Sequence, residues 1–184
     1  MFHRSQRVML RPIWPEDWPG IYEAINDEGV VRNLARAPWP YTPADAQAFA
    51  CLPRKADEAK FLITLPEAAG APVVGSIGLE PLDGGGHELG YWVARAWWGR
   101  GIATEAVHGI LEVARMRGWN RVSAEHFLDN PASGRVLLKA GFRPAGKIVE
   151  RFSRARGHEA AVTCFALDLD EQGRVAPVDL LDAA

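Results

Sequence analysis

The chain has 184 residues, 48% hydrophobic, 24% charged and 9% aromatic, the profile of one soluble globular domain, which excludes a disordered, fibrous or repeat protein. Its 21 Lys and Arg against 23 Asp and Glu leave a formal charge of -2, so no global basic field draws it to an anionic membrane and no direct nucleic-acid binding is expected. No run reaches the roughly 20 apolar residues of a bilayer span, Met1–Arg7 carries no apolar signal core, and the 2 cysteines, Cys51 and Cys164, lack metal-ligand spacing, so a cytoplasmic protein with reduced thiols and no metal is expected.

Residues 7–11 read as a first strand, followed by a helix from Pro15-Glu16-Asp17, whose acidic pair suits a helix N-terminus. The prolines from Pro38 to Pro43 separate two short helical candidates, the second starting after Thr42 with Pro43 at its first position. Residues 61–65 and 72–79 are β-branched and apolar, and with residues 88–94 beyond the Gly84-Gly85-Gly86 turn they predict an antiparallel meander. Gly75, Gly78 and Gly90 inside it point to bulges or a close backbone approach. From Ile102 the apolar residues Ala103, Val107, Ile110, Leu111 and Ala114 recur at helical spacing, with Glu105 in the first turn and Gly118 just past the end. Residues 121–126 read as a strand, Asn130-Pro131 as the start of a helix ending at Gly141, and 145–152 and 159–169 as the last strands. Together these elements make a single α+β domain over 1–184, with a mixed, mostly antiparallel twisted sheet flanked by helices.

Gly99-Arg100-Gly101 stands directly before the helix from Ile102, leaving backbone N–H groups free to face an anion above that terminus. Glycines let a diphosphate approach the amides, and Arg100 adds a donor; the same pattern also describes a plain loop-to-helix junction. A Walker A loop is excluded, because no lysine follows a glycine in the required register. A dinucleotide fingerprint finds partial support in Gly99, Gly101 and the acidic Glu125 about 20 residues on, and would make the protein a nicotinamide-dependent oxidoreductase. Against it, Thr104 holds the third glycine position and the unit follows some 90 residues of other structure instead of opening the fold.

The strand Glu88-Leu89-Gly90-Tyr91-Trp92 leads to Trp98-Gly99-Arg100-Gly101-Ile102-Ala103-Thr104-Glu105-Ala106, and Asn130-Pro131-Ala132-Ser133 and Gly141-Phe142 follow. In order and spacing this resembles the GNAT superfamily of N-acetyltransferases, in the branch of the Rim-type ribosomal-protein N-terminal acetyltransferases, most specifically over residues 86–142. Trp98 departs from the Gln or Arg usual at that position in the superfamily. The resemblance implies acetyl-CoA as the acyl donor. Its diphosphate would lie on the backbone of Gly99, Arg100, Gly101, Ile102, Ala103 and Thr104, and its pantetheine arm along Trp92-Val93-Ala94. Asn130 would then contact pantetheine, and Ser133 would approach the thioester sulfur.

Acyl transfer to an amine needs a neutral nucleophile, a donor for the developing oxyanion and a tolerable leaving thiolate. Glu88 ranks first and His126 second as the base, although a charged strand end is commonly a solvated terminus. An amide near Trp92-Val93 left unpaired by a bulge or splay would serve the oxyanion, and Ser133 would hydrogen-bond the thiolate. Ser133 and Asn130 also read as plain capping residues, with Asp129 or Asn130 as the cap. His87, His108 and His158 read as surface or helix-face residues. Trp14, Trp18 and Trp39 cluster on the acceptor side, either lining a pocket or packing a core, and 151–157 forms a local basic hairpin. The expected function is acetyl-CoA-dependent N-acetylation of a primary amine, a protein N-terminus or a small molecule, by direct attack in a ternary complex. The protein would be a monomer or homodimer, and a non-catalytic CoA-binding domain is the remaining alternative.

Overall fold

Segments rich in β-branched and apolar residues join into one eight-stranded sheet, ordered β1-β2-β3-β4-β5-β6-β8-β7, in a computed structural model that describes residues 1–53 and 55–169. The strands are β1 His3–Arg4, β2 Met9–Arg11, β3 Ala59–Thr64, β4 Val73–Pro81, β5 His87–Val93, β6 Arg121–Phe127, β7 Arg143–Ser153 and β8 His158–Asp168. The helices are α1 Trp18–Ile25, α2 Glu28–Val31, α3 Pro43–Ala50, α4 Ile102–Met116 and α5 Pro131–Lys139. Residues 170–184 of the expected domain lie outside the described residues.

Most boundaries fall where turn and cap chemistry put them. Thr42 accepts from the Asp45 amide with Pro43 at the first helical position, so α3 starts as expected. The first strand is shorter than expected, because Ser5 N–H closes a turn on Val8 O (2.9 Å) and Arg7 belongs to that turn. The helix expected from Pro15 opens as a 3-10 turn over Pro15–Asp17. There the Asp17 carboxylate accepts from the Trp14 amide and from both terminal nitrogens of Arg11, and α1 proper begins at Trp18. The four-residue α2, capped by Asp27, carries too little periodicity to announce itself in sequence.

Alternation along the strands builds two cores. Leu89 and Val93 of β5 face α4 and α5 with Val107, Ile110, Leu111, Leu137 and Phe142, whereas Trp92 faces the other way, into a smaller cluster with Ile21, Val31, Tyr41 and Leu62. Each fully buried aliphatic side chain contributes about 1.5–3 kcal/mol, so α4 is anchored along its length and its N-terminus is fixed against the sheet.

Neighbouring strands are antiparallel except β5 and β6, which pair in parallel from His87↔Val122 to Leu89↔Ala124. Beyond Leu89 the pairing stops and the two strands part. The amide of Ala94 donates to Val74 O on β4 (2.8 Å), and by strand alternation Trp92 and Gly90 also turn their backbone groups to β4. Tyr91 and Val93 therefore turn theirs into the opening between β5 and β6. A nucleotide-binding sheet of the oxidoreductase type would be parallel throughout this region, so the fold removes that alternative.

Candidate active site

The turn before α4 keeps the two glycines in the left-handed region, with φ of 72° at Gly99 and 78° at Gly101. A Cβ on Gly99 would meet nothing within 4 Å, so it is backbone conformation and not crowding that requires glycine there. The first amide of α4 to find a backbone acceptor is that of Glu105, on Gly101 O (3.1 Å). Among the described residues, the amides of Gly99, Arg100, Gly101, Ile102, Ala103 and Thr104 donate to no protein group. An anion site at a helix N-terminus needs such a set, and a diphosphate fits it in charge and donor count. The Arg100 guanidinium lies over the Trp97 ring at 4.9 Å.

A cleft of about 1320 Å³ begins at this turn, passes through the opening between β5 and β6 and emerges over the opposite sheet face. At its narrow part the Val93 carbonyl accepts from Trp98 Nε1 at 2.6 Å. The Val93 amide and the Tyr91 carbonyl remain directed into the gap. The opening is a splay and not a bulge: β4 and β5 keep register from Gly75↔Val93 to Pro81↔His87. Because Trp92 and Ala94 spend their backbone groups on β4, Val93 is the member of the expected Trp92-Val93-Ala94 segment whose amide faces the gap.

On the α5 side, Asn130 is the helix cap, its Oδ1 receiving the Ser133 amide at 3.4 Å. Asp129 does not cap; its carboxylate is held by Arg156 and Arg32, and the Arg156 hydrogen bond leads the influences that keep it below the usual carboxylate range. Ser133 Oγ lies 2.7 Å from the Tyr91 hydroxyl. Burial pushes the Tyr91 phenol up to about 12 against the opposing Ser133 hydrogen bond, so it stays protonated at neutral pH. Tyr91 was not among the residues expected at the site, since only the packing of β5 against α5 brings the two hydroxyls together.

Across the sheet, the other half of the cleft is lined by carboxylates. Glu80 sits opposite Glu88 in the β4–β5 register, and Glu125 projects from β6. Glu125 is held by Arg151 at 2.9 and 2.7 Å, so it is not a free ribose-binding acid. Burial alone would raise Glu80, but Arg36 and Lys60 prevail and hold it low. Glu88 has no ion-pair partner among the described residues; burial first, then the Glu125 charge, raise its carboxyl above the usual range against the pull of Arg151 and Arg36. That combination makes Glu88 a candidate proton acceptor. His126 lies on the other side, packed under α5, where a Cβ on Gly134 would fall 2.6 Å from its Nε2, and its Nδ1 sits 2.8 Å from Phe127 O.

Other expected positions move. Trp14, Trp18 and Trp39 do not line the cleft; Trp92, Trp97 and Trp98 do. His87 is buried, stacked on Trp119 with centroids 3.8 Å apart, because it opens β5 under the 55–58 loop and not at the surface. The 151–157 hairpin is docked as well as solvated: Arg154 N–H donates to Ala35 O and Arg156 Nε to Arg32 O, while the side chains of Arg151, Phe152 and Arg154 stay exposed.

Residues 7–143 match the family profile described as Acetyltransferase (GNAT) domain. The chain belongs to the GNAT acetyltransferase family. As a GNAT protein it is an acyltransferase, and the family's donor is an acyl-CoA thioester. An uncharacterised N-acetyltransferase of Bacillus subtilis, YoaA, is 27% identical over 150 residues, covering 77% of this chain and 82% of that protein. The acetyltransferase (GNAT family) from Bacillus anthracis superposes with a TM-score of 0.79 at 20% identity, covering 92% and 99% of the two chains. RimJ of Mycobacterium smegmatis in complex with CoA-disulfide superposes with a TM-score of 0.76 at 21% identity, covering 91% and 84%. Among the described residues of this GNAT chain, no helix is long and apolar enough to cross a membrane.

Proposed function

We propose that this GNAT protein acetylates a primary amine, on a peptide N-terminus or a small molecule, by direct attack on acetyl-CoA bound between β5 and β6. The observation that carries the reading is the pairing of unspent amides at the start of α4 with an unpartnered, raised carboxyl on Glu88 at the far end of the same cleft. Acetyl-CoA, when bound, supplies the acetyl thioester. The amides of Gly99–Thr104 bind its diphosphate, and the gap between the strands takes the pantetheine arm, with Asn130 Nδ2 as a side-chain donor.

Glu88 takes the proton from the incoming ammonium, directly or through one water. An α-amine, with a pKa of about 7.7–8.0, demands less of this base than a lysine at about 10.4. The Val93 amide donates to the thioester carbonyl oxygen as negative charge develops there. Ser133 donates to the departing sulfur, oriented by the Tyr91 hydroxyl. No covalent intermediate on the protein is required, and His126, on the α5 side, takes no part in deprotonating the acceptor. The test is turnover of acetyl-CoA against a panel of peptides and small amines, with products identified by mass spectrometry. An acetylated amine with free CoA released in equal amount supports the reading; binding of acetyl-CoA with no product from any amine contradicts it and favours a non-catalytic CoA-binding domain.

A further inference from the structure

The turn between β1 and β2 reaches across to the anion site. Glu105, in the first turn of α4, lies directly behind the amides that face the ligand, and a bare carboxylate there would oppose a diphosphate. It is not bare. Its Oε1 accepts from Ser5 Oγ (2.6 Å), Arg7 N–H (2.7 Å) and Val8 N–H (3.0 Å), and its Oε2 from Arg7 Nε (2.8 Å) and Nη2 (2.7 Å). The third guanidinium nitrogen, Nη1, donates to the carbonyl of Arg100 at 2.9 Å, in the middle of the glycine turn. Arg7 Nη2 also packs 3.4 Å from where a Cβ on Gly101 would stand.

We propose that Arg7 is a positioning residue for diphosphate recognition: one guanidinium fork fixes the Gly99–Gly101 turn with its amides outward and cancels the Glu105 charge behind them. This rests on the reading that CoA binds at that turn. Holding the Arg100 carbonyl toward β2 turns the Gly101 N–H the opposite way, because the carbonyl and N–H of one peptide unit point in opposite directions. A planar, bidentate donor is needed to hold two acceptors at once, which a lysine cannot do. Without Arg7 the turn loses its tether and the anion meets an uncompensated carboxylate.

The test uses the full chain and its Arg7→Ala, Arg7→Lys and Arg7→Ala/Glu105→Gln variants. Calorimetric titration with CoA is run at low and high salt, thermal midpoints are recorded, and KM is measured for acetyl-CoA and for S-acetylpantetheine, which lacks the diphosphate. Arg7→Ala is expected to weaken CoA about tenfold, the equivalent of roughly 1.4 kcal/mol, less so at high salt. The Glu105→Gln change on top should recover several-fold of that loss, Arg7→Lys should fall between wild type and Arg7→Ala, and the KM penalty should appear with acetyl-CoA and not with S-acetylpantetheine. The proposal is overturned if Arg7→Ala binds CoA as wild type does, if both thioesters lose equally, or if removing the Glu105 charge restores nothing. If Arg7→Ala does not fold, the lysine variant decides: wild-type affinity for CoA overturns the proposal. Failure of the wild type itself to bind CoA is a different result, and removes the reading on which the proposal rests.

Discussion

At the scale of single residues, the proposed chemistry divides between a base on one sheet face and a pair of hydroxyls on the other. Burial and the Glu125 charge raise Glu88, so the acid limb of the rate profile lies above the ordinary carboxylate range. A base works deprotonated, so kcat/KM falls as pH drops through that raised value; Glu88→Gln should lower the rate by roughly 10²-fold or more and abolish the limb. The Tyr91–Ser133 contact makes a second prediction. Tyr91→Phe and Ser133→Ala should each reduce kcat with little effect on CoA affinity, and the double variant should be little worse than Ser133→Ala alone, because both act through one hydrogen bond. Additive losses would mean that the two hydroxyls act separately. Sequence named Glu88 and Ser133 as candidates, whereas the contact between Tyr91 and Ser133 was not legible, because the two lie 42 residues apart on different elements.

At the scale of elements, α4 connects the site to the core. Its apolar spacing, acidic first turn and preceding glycines made it readable before any coordinates, as did the meander β3–β5 with its glycine-marked turn. Sequence raised a bulge or splay near Trp92-Val93 without deciding between them; that β5 and β6 pair for only three residues and then part is a matter of long-range strand pairing. Gly101→Ala would force an L side chain to φ 78°, at a cost of about 1–2 kcal/mol. A chain of this size should lose a few degrees of thermal midpoint, about 2–4 °C per kcal/mol, together with a raised KM for acetyl-CoA. Acid weakens the same junction. Burial would raise Glu105, but its bonds from Ser5, Arg7 and Val8 prevail and lower it. Its stabilising effect is therefore complete above the unfolded carboxylate pKa and disappears as pH falls through the lower folded value. The difference in unfolding free energy between wild type and Glu105→Gln should accordingly shrink on acidification.

At the scale of the whole molecule, the two halves of the chain meet over the sheet face that carries Trp92. The fully buried Ser153 donates its hydroxyl to Leu34 O at 3.0 Å across 119 residues, beside the Arg154 N–H bond to Ala35 O. Nothing local in 151–157 announces this docking; the run reads as a solvated basic hairpin until the 32–36 turn is placed against it. Ser153→Ala leaves the part-buried Leu34 carbonyl without this donor, a loss of about 1 kcal/mol, and should raise KM for the amine more than KM for acetyl-CoA. That the start of α4 takes the diphosphate of the donor is tested most directly by a crystal structure of the protein with CoA. Phosphate oxygens within about 3 Å of the amides between Gly99 and Thr104, with the sulfur in the gap between β5 and β6 beside Ser133, are the predicted result. A diphosphate bound elsewhere, with those amides still facing water, would contradict it.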